Sequence, residues 1–156
     1  MNKMFCFQCQ QTAHNTGCEG NAGVCGKKCG TANAQDALTN ALIGLARAVN
    51  KKTPSEQSDR LVLKGLFTTI TNVNFHEDNV RKLTQEIQAE RNAIDASAEE
   101  YDIRNIWENH EDIRSLKSLI LFGLRGMAAY AYHALALGYT DRDVLNYFYE
   151  ALAVLG

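Results

Sequence analysis

The sequence predicts an all-α fold, a bundle of about five helices behind a cysteine-rich N-terminal segment. Three observations carry this. From Asn33 onward, apolar residues recur at three- and four-residue steps over most of the chain. The only proline, Pro54, falls in a polar break and not inside one of those runs. No strand-like alternation competes with the helical pattern.

The elements follow in order. Ala37, Leu38, Ala41, Leu42, Leu45, Ala46 and Val49 predict a helix over roughly 34–50, which the Lys51–Ser55 stretch ends. A second helix, about 56–72, carries Leu61, Leu63, Leu66, Phe67 and Ile70. Asn74 is the expected N-cap of a third, about 76–96, with Glu77 in capping-box position. Residues 97–109 are mostly polar, yet Tyr101, Ile103, Ile106 and Trp107 need somewhere to pack. A long helix is expected over about 110–137, ended by Gly138, and a last one over 141–154, capped by Thr140. Gly44, Gly65 and Gly123 each interrupt a helix at a cost of about 1 kcal/mol relative to alanine, which marks possible points of close approach.

The chain of 156 residues reads as one domain over 1–156: a metal-binding segment 1–30 and a helical bundle 31–156. Its net charge of −2 provides no basic field for nucleic acid. The apolar stretches fall short of a membrane span, and the N-terminus shows no secretory signal pattern. A cytoplasmic protein follows as the expectation.

All five cysteines, Cys6, Cys9, Cys18, Cys25 and Cys29, lie in the first 29 residues, together with Gly17, Gly20, Gly23, Gly26 and Gly30 among the eleven glycines. A secreted disulfide scaffold would spread its cysteines over the chain. Here a looped segment without its own core gathers soft sulfur donors, and a bound metal would compensate for the missing core. The Cys6-x2-Cys9 pair puts two thiolates on one turn. Cys6, Cys9, Cys18 and Cys25 would suit an iron–sulfur cluster and leave Cys29 over. Cys6/Cys9 with Cys25/Cys29 would suit zinc and leave Cys18 over. Both centres carry two net negative charges in their resting forms. The segment supplies Lys3, Lys27 and Lys28 against Glu19, with loop amides that could tune a potential.

These residues resemble a known family. Met4-Phe5-Cys6-Phe7-Gln8-Cys9-Gln10-Gln11-Thr12-Ala13, Thr16-Gly17-Cys18 and Gly23-Val24-Cys25-Gly26-Lys27 are similar to the N-terminal segment of hybrid-cluster proteins, also called hydroxylamine reductases. The likeness continues through Ala32–Asp36, Gly65–Asn72, Glu111–Leu116, Gly126–Ala131 and Glu150–Ala153. It implies helical bundles related to part of carbon monoxide dehydrogenases. It also implies a [4Fe–4S] cluster, or [2Fe–2S] in some members, on Cys6, Cys9, Cys18 and Cys25. Two departures stand out. The gap from Cys18 to Cys25 looks one residue longer than the anaerobe-type pattern, and Cys29 has no family role, which leaves it as an alternative ligand.

Family enzymes are several times longer, and their hybrid cluster is held by Cys, His and Glu of later domains. No cysteine follows Cys29 here, so the resemblance implies the accessory cluster domain without hydroxylamine or nitric oxide reduction. The expected function is therefore an iron–sulfur electron-transfer or redox-sensing module. A structural module stapled by a cluster or zinc, working as a homodimer or with a redox partner protein, is the alternative, as is a segment of a longer reductase. Among the remaining candidates, His14 reads as a solvent-facing loop residue and His76 and His110 as surface or capping residues. His133 reads as a packing residue, and Tyr147-Phe148-Tyr149 as core or interface. No catalytic residue is assigned, and no nucleotide or nucleophile motif is present.

Overall fold

The computed structural model describes residues 3–9, 14, 16–49, 52–70 and 73–156. Helix dominates, as expected, with six helices among the described residues: α1 (Cys29–Val49), α2 (Glu56–Thr68), α3 (Glu77–Ile94), α4 (Arg104–Trp107), α5 (Glu111–Ala136) and α6 (Arg142–Leu155). The expectation of no strands needs correction. β1 (Met4–Cys6) and β2 (Cys18–Gly20) form a small antiparallel ladder, too short for any period to show in sequence.

Helix α1 is the central element and packs on α2, α3 and α6. Leu38, Leu42, Ile43, Leu45 and Ala46 on it have no exposed surface. It begins at Cys29, five residues ahead of the expected start, so the last cysteine is its first residue. Residue 50, the expected end, lies outside the described residues. Helix α2 is capped by Ser55, whose Oγ accepts from Ser58 N–H at 3.0 Å. It ends at Thr68, and the expected limit of 72 lies outside the described residues.

Two capping expectations are corrected. His76, not Asn74, caps α3, because its Nδ1 accepts from Asn79 N–H. Asn74 instead accepts from His76 N–H one step earlier. Asp141, not Thr140, caps α6 by accepting from Val144 N–H at 3.0 Å. A carboxylate next to the first turn also meets the positive end of the helix dipole, which a threonine hydroxyl does less well. Gly138 does end α5: at φ +83° it closes paired bonds from Tyr139 N–H to Ala134 C=O and from Gly138 N–H to Leu135 C=O.

The polar stretch between α3 and α5 is pinned at three buried points. Ile106 is fully buried, Tyr101 Oη donates to Leu155 C=O at 2.8 Å, and Ile103 N–H donates to Asn40 Oδ1 at 2.7 Å. Two of the three helix glycines are close approaches. A methyl on Gly65 would sit 2.7 Å from Leu42 Cδ2, and one on Gly44 would sit 3.3 Å from the Arg91 stem, while Gly123 faces open space.

Helix α5 buries only Leu121, Leu124, Arg125 and Ala128. Its other side carries Leu116, Leu119 (68% exposed), Phe122 and Tyr130 (84% exposed). By length and mean hydropathy (1.2) α5 is comparable to a membrane-crossing helix, but Arg125 at its middle is turned into the bundle. The main core is separate from a small second cluster of Met4, Cys18, Cys29 and Ala32, which lies at the cysteine end.

Candidate metal centre

The ladder pairs Met4 with Gly20, Phe5 with Glu19 and Cys6 with Cys18. Directly opposed residues project from the same face of a two-stranded ladder, so Cys6 and Cys18 share a face with Met4. Gly17 allows this arrangement on two grounds. Its φ of +118° is open to glycine, and a side chain there would strike the Phe5 ring at 2.4 Å.

After β2 the chain folds over tightly. Gly23 N–H donates to Lys27 C=O, Gly26 N–H to Gly23 C=O, and Cys29 N–H to Asn21 C=O. Gly26 takes φ +83° at the turn. A methyl at Gly23 would lie 3.7 Å from both Cys18 Cβ and Cys25 Sγ, so these two cysteines flank one point of backbone. Cys29 is buried at the start of α1, where Asn33 Nδ2 donates to its sulfur at 3.5 Å. Cys9 lines a groove of about 440 Å³ together with Gln8, Ile70, Phe122, Arg125, Gly126 and Ala129.

No disulfide links the five cysteines. Among the described residues no three Cys, His, Asp or Glu side chains already form a closed ligand set. Gln10–Ala13, part of the expected motif, lie outside the described residues, and His14 is exposed, as expected of a loop histidine.

The electrostatics are unusual for a loop. Lys27 is the largest fully buried side chain, at 1% exposure. Its Nζ donates to Cys6 Sγ at 4.0 Å and to Gln8 Oε1 at 3.3 Å, and among the described residues no carboxylate is within ion-pair distance. Burial raises the Cys6 thiol above its ordinary value, against the pull of Lys27, and Asp36 and Cys18 add to the rise. Asp36 on α1 is pushed up to about 7 by burial, opposed by Arg125 and Lys27. Two buried cations therefore face a single carboxylate. The donor set is chemically suited to an anionic, sulfur-ligated group, because such a group would supply the missing negative charge.

Sequence reasoning named Lys27 but missed Asp36 and Arg125. Both sit inside amphipathic helices as ordinary charged residues, and only the packing of α5 on α2, with Arg125 reaching Thr39 of α1, shows Arg125 buried and Asp36 half-buried beside it. The other histidines stand as expected: His76 and His110 cap α3 and α5. His133 packs edge-on against Phe67 at 5.4 Å, although much of it stays exposed. Phe148 and Tyr149 are core, and Tyr147 is exposed.

The class that the fold and site define is a helical bundle capped at one end by a loop of soft sulfur donors over buried cations. Comparison with known sequences makes this more specific. The Prismane/CO dehydrogenase family pattern matches residues 4–156, and the chain belongs to that family. It is similar to proteins named hydroxylamine reductase. The identity is 37% with that of Caldanaerobacter subterraneus subsp. tengcongensis, over 97% of this chain and 33% of the relative. It is 38% with that of Desulfitobacterium hafniense, over 96% and 33%, and 38% with that of Porphyromonas gingivalis, over 96% and 32%. The chain thus spans about a third of the length of these relatives.

Proposed function

We propose that this chain holds an iron–sulfur centre on Cys6, Cys9, Cys18 and Cys25 and serves as a one-electron relay or redox-sensing module. The observation that carries the reading is the buried Lys27 ammonium beside Cys6, across the ladder from Cys18, with no carboxylate within ion-pair distance among the described residues and Asp36 shared with Arg125 as the nearest negative group in its field. Two buried cations sharing one carboxylate are under-compensated, and the thiolates of a bound centre would supply the balance. The family membership supports iron–sulfur over zinc, and the [4Fe–4S] form suits four thiolates. When bound, such a centre stores and passes single electrons. The chain's own part is to supply sulfur, bury it beside Lys27 and keep water from most of it. Thiolate ligands favour a reducing compartment such as the cytoplasm.

The relatives' name points to hydroxylamine reduction. We assign this chain the cluster-bearing part of such a system and not the reductase chemistry by itself. Cys29 is bonded by Asn33 and packed against Met4 and Ala32, so we give it a packing role outside the ligand set.

Anaerobic purification with iron and sulfide quantitation and EPR of the reduced protein tests this. About four iron per chain and a reducible signal are expected. A colourless protein with one zinc would overturn it.

A second role is favoured by the exposed stripe Leu116, Leu119, Phe122 and Tyr130 on α5. We propose that a redox partner or a second copy covers it. Light scattering over a concentration series should show self-association or, with the partner, a complex. Strict monomer behaviour under both conditions opposes it.

A further inference from the structure

The groove beside Cys9 has a wall that the proposed ligand set does not use. Arg125 reaches it from the buried face of α5 and is 8% exposed. Its Nε donates to Thr69 Oγ1 at 3.0 Å and its Nη2 to Thr39 Oγ1 at 3.4 Å. Those two hydroxyls spend their own protons elsewhere, Thr39 on Gln35 C=O at 2.9 Å and Thr69 on Leu66 C=O at 2.7 Å. Each therefore has only lone pairs to offer Arg125, so the clamp fits a charged guanidinium and fixes where it lies.

Neither partner is charged. Among the described residues no carboxylate comes within ion-pair distance of Arg125. Burial draws Arg125 down to about 10, and the groups that resist this are Asp36 and Cys6. Arginines this deep are normally paired with a carboxylate, and a bundle seeking stability alone would place an apolar residue here. The charge is held toward the cysteine end: Gln8 lines the Arg125 groove beside Cys9 and also accepts from Lys27 at 3.3 Å.

We infer that Arg125 sets the reduction potential of the centre: clamped by Thr39 and Thr69 behind the cysteine segment, it is a fixed positive charge that favours the reduced form. The inference rests on the iron–sulfur reading above. Reduction adds one electron, supplied in the test by dithionite through mediators, and takes a four-thiolate centre from two to three net negative charges with no bond made or broken. A unit charge at about 10 Å in a medium of effective dielectric about 20 changes that equilibrium by roughly tenfold or slightly more. Lys28, exposed one residue beyond Lys27, should contribute little, because salt screens it.

The test uses the anaerobically purified chain, with iron and sulfide measured first and the midpoint then read by mediated titration at 0.15 M salt. Arg125→Met should lower the reduction equilibrium constant roughly tenfold, which is 59 mV for one electron. Arg125→Lys should restore most of it, and Lys28→Met should leave it unchanged. An Arg125→Met protein with wild-type iron content and a wild-type midpoint overturns the inference, as does an Arg125→Lys protein that falls as far as the methionine variant. Should Arg125→Met fail to fold by circular dichroism, Arg125→Gln removes the same charge while its amide can still donate to Thr39 and Thr69. A midpoint lowered to a similar extent supports the inference and an unchanged one overturns it. A wild-type protein without iron and sulfide refutes the iron–sulfur reading itself, an outcome distinct from an unmoved midpoint.

Discussion

Arg142, the first residue of α6, grips Asp59 of α2 at two points, Nη2 to Oδ2 at 2.6 Å and Nη1 to Oδ1 at 3.3 Å. Tyr149, two turns further along α6, donates its hydroxyl to the same Oδ1 at 3.0 Å. Burial first, and then Asp59, push the Tyr149 hydroxyl well above its ordinary range, so it remains a donor at any working pH. One buried carboxylate thus joins the last helix to the second. Asp59→Ala should cost about 2 kcal/mol in urea unfolding, because it strands the buried Tyr149 hydroxyl and frees Arg142, which is half exposed and stays solvated. Tyr149→Phe should cost only about 1 kcal/mol. Equal losses from the two would show that packing, and not the carboxylate, makes the joint.

The helix glycines give a contrast of sign. Gly65→Ala drives a methyl to 2.7 Å from Leu42 Cδ2 and 3.1 Å from Ile87 Cδ1, and should destabilise by about 1–3 kcal/mol. Gly123→Ala meets nothing and should stabilise by about 0.5–1 kcal/mol through helix propensity alone. Thermal melts of the two single variants decide it, and a stabilised Gly65→Ala protein would contradict the tight α1–α2 contact.

Asp36 gives stability a pH dependence. Its folded value of about 7 stands above that of an unfolded aspartate, so the native state binds the extra proton between about pH 4 and 7. Stability from this group is fully present below the unfolded value and declines as pH rises through about 7. The metal-free protein should lose roughly 1–2 kcal/mol between pH 5 and 8, and Asp36→Asn should flatten that slope. A variant with the wild-type slope would place the titration elsewhere.

Helix boundaries were the readable part of this molecule, and cap identities were not. The apolar spacing placed α1, α2, α3, α5 and α6 within a few residues, since each buries a stripe against α1 or its neighbours. Capping depends on which of several adjacent acceptors reaches a free N–H. Asn74 and His76 both have one, and so do Thr140 and Asp141. The cysteines were legible as a group because soft donors at close spacing have few other uses. The charge beneath them was hidden. Lys27, Asp36 and Arg125 come from three stretches of chain, and nothing at position 125 distinguishes a buried guanidinium from a surface one.

Removing the proposed centre should be a local event. The proposed ligands Cys6 to Cys25 adjoin a small apolar cluster separate from the bundle core. Treatment with an iron chelator and oxidant should raise amide hydrogen exchange in residues 3–28, while α1, α2, α3 and α6 keep their protection. Loss of the far-ultraviolet helical signal would show instead that the bundle needs the centre to fold. Within the segment, Cys29→Ala should retain iron and Cys25→Ala should lose it, as measured by iron content per chain.

The buried charges beneath the cysteines also bear on how the protein is made. Synthesis runs from the N-terminus, so the cysteines leave the ribosome ahead of the helices. The carboxylate at Asp36 follows soon, but Arg125 and its α5 scaffold arrive roughly a hundred residues after Cys25. The cysteine segment is therefore translated before the charge that surrounds it. A nascent chain holds its thiols ready well before the surroundings that suit a loaded centre exist, and iron delivered early would enter an incomplete pocket. Pulse-labelled chains should acquire iron only after α5 has been released.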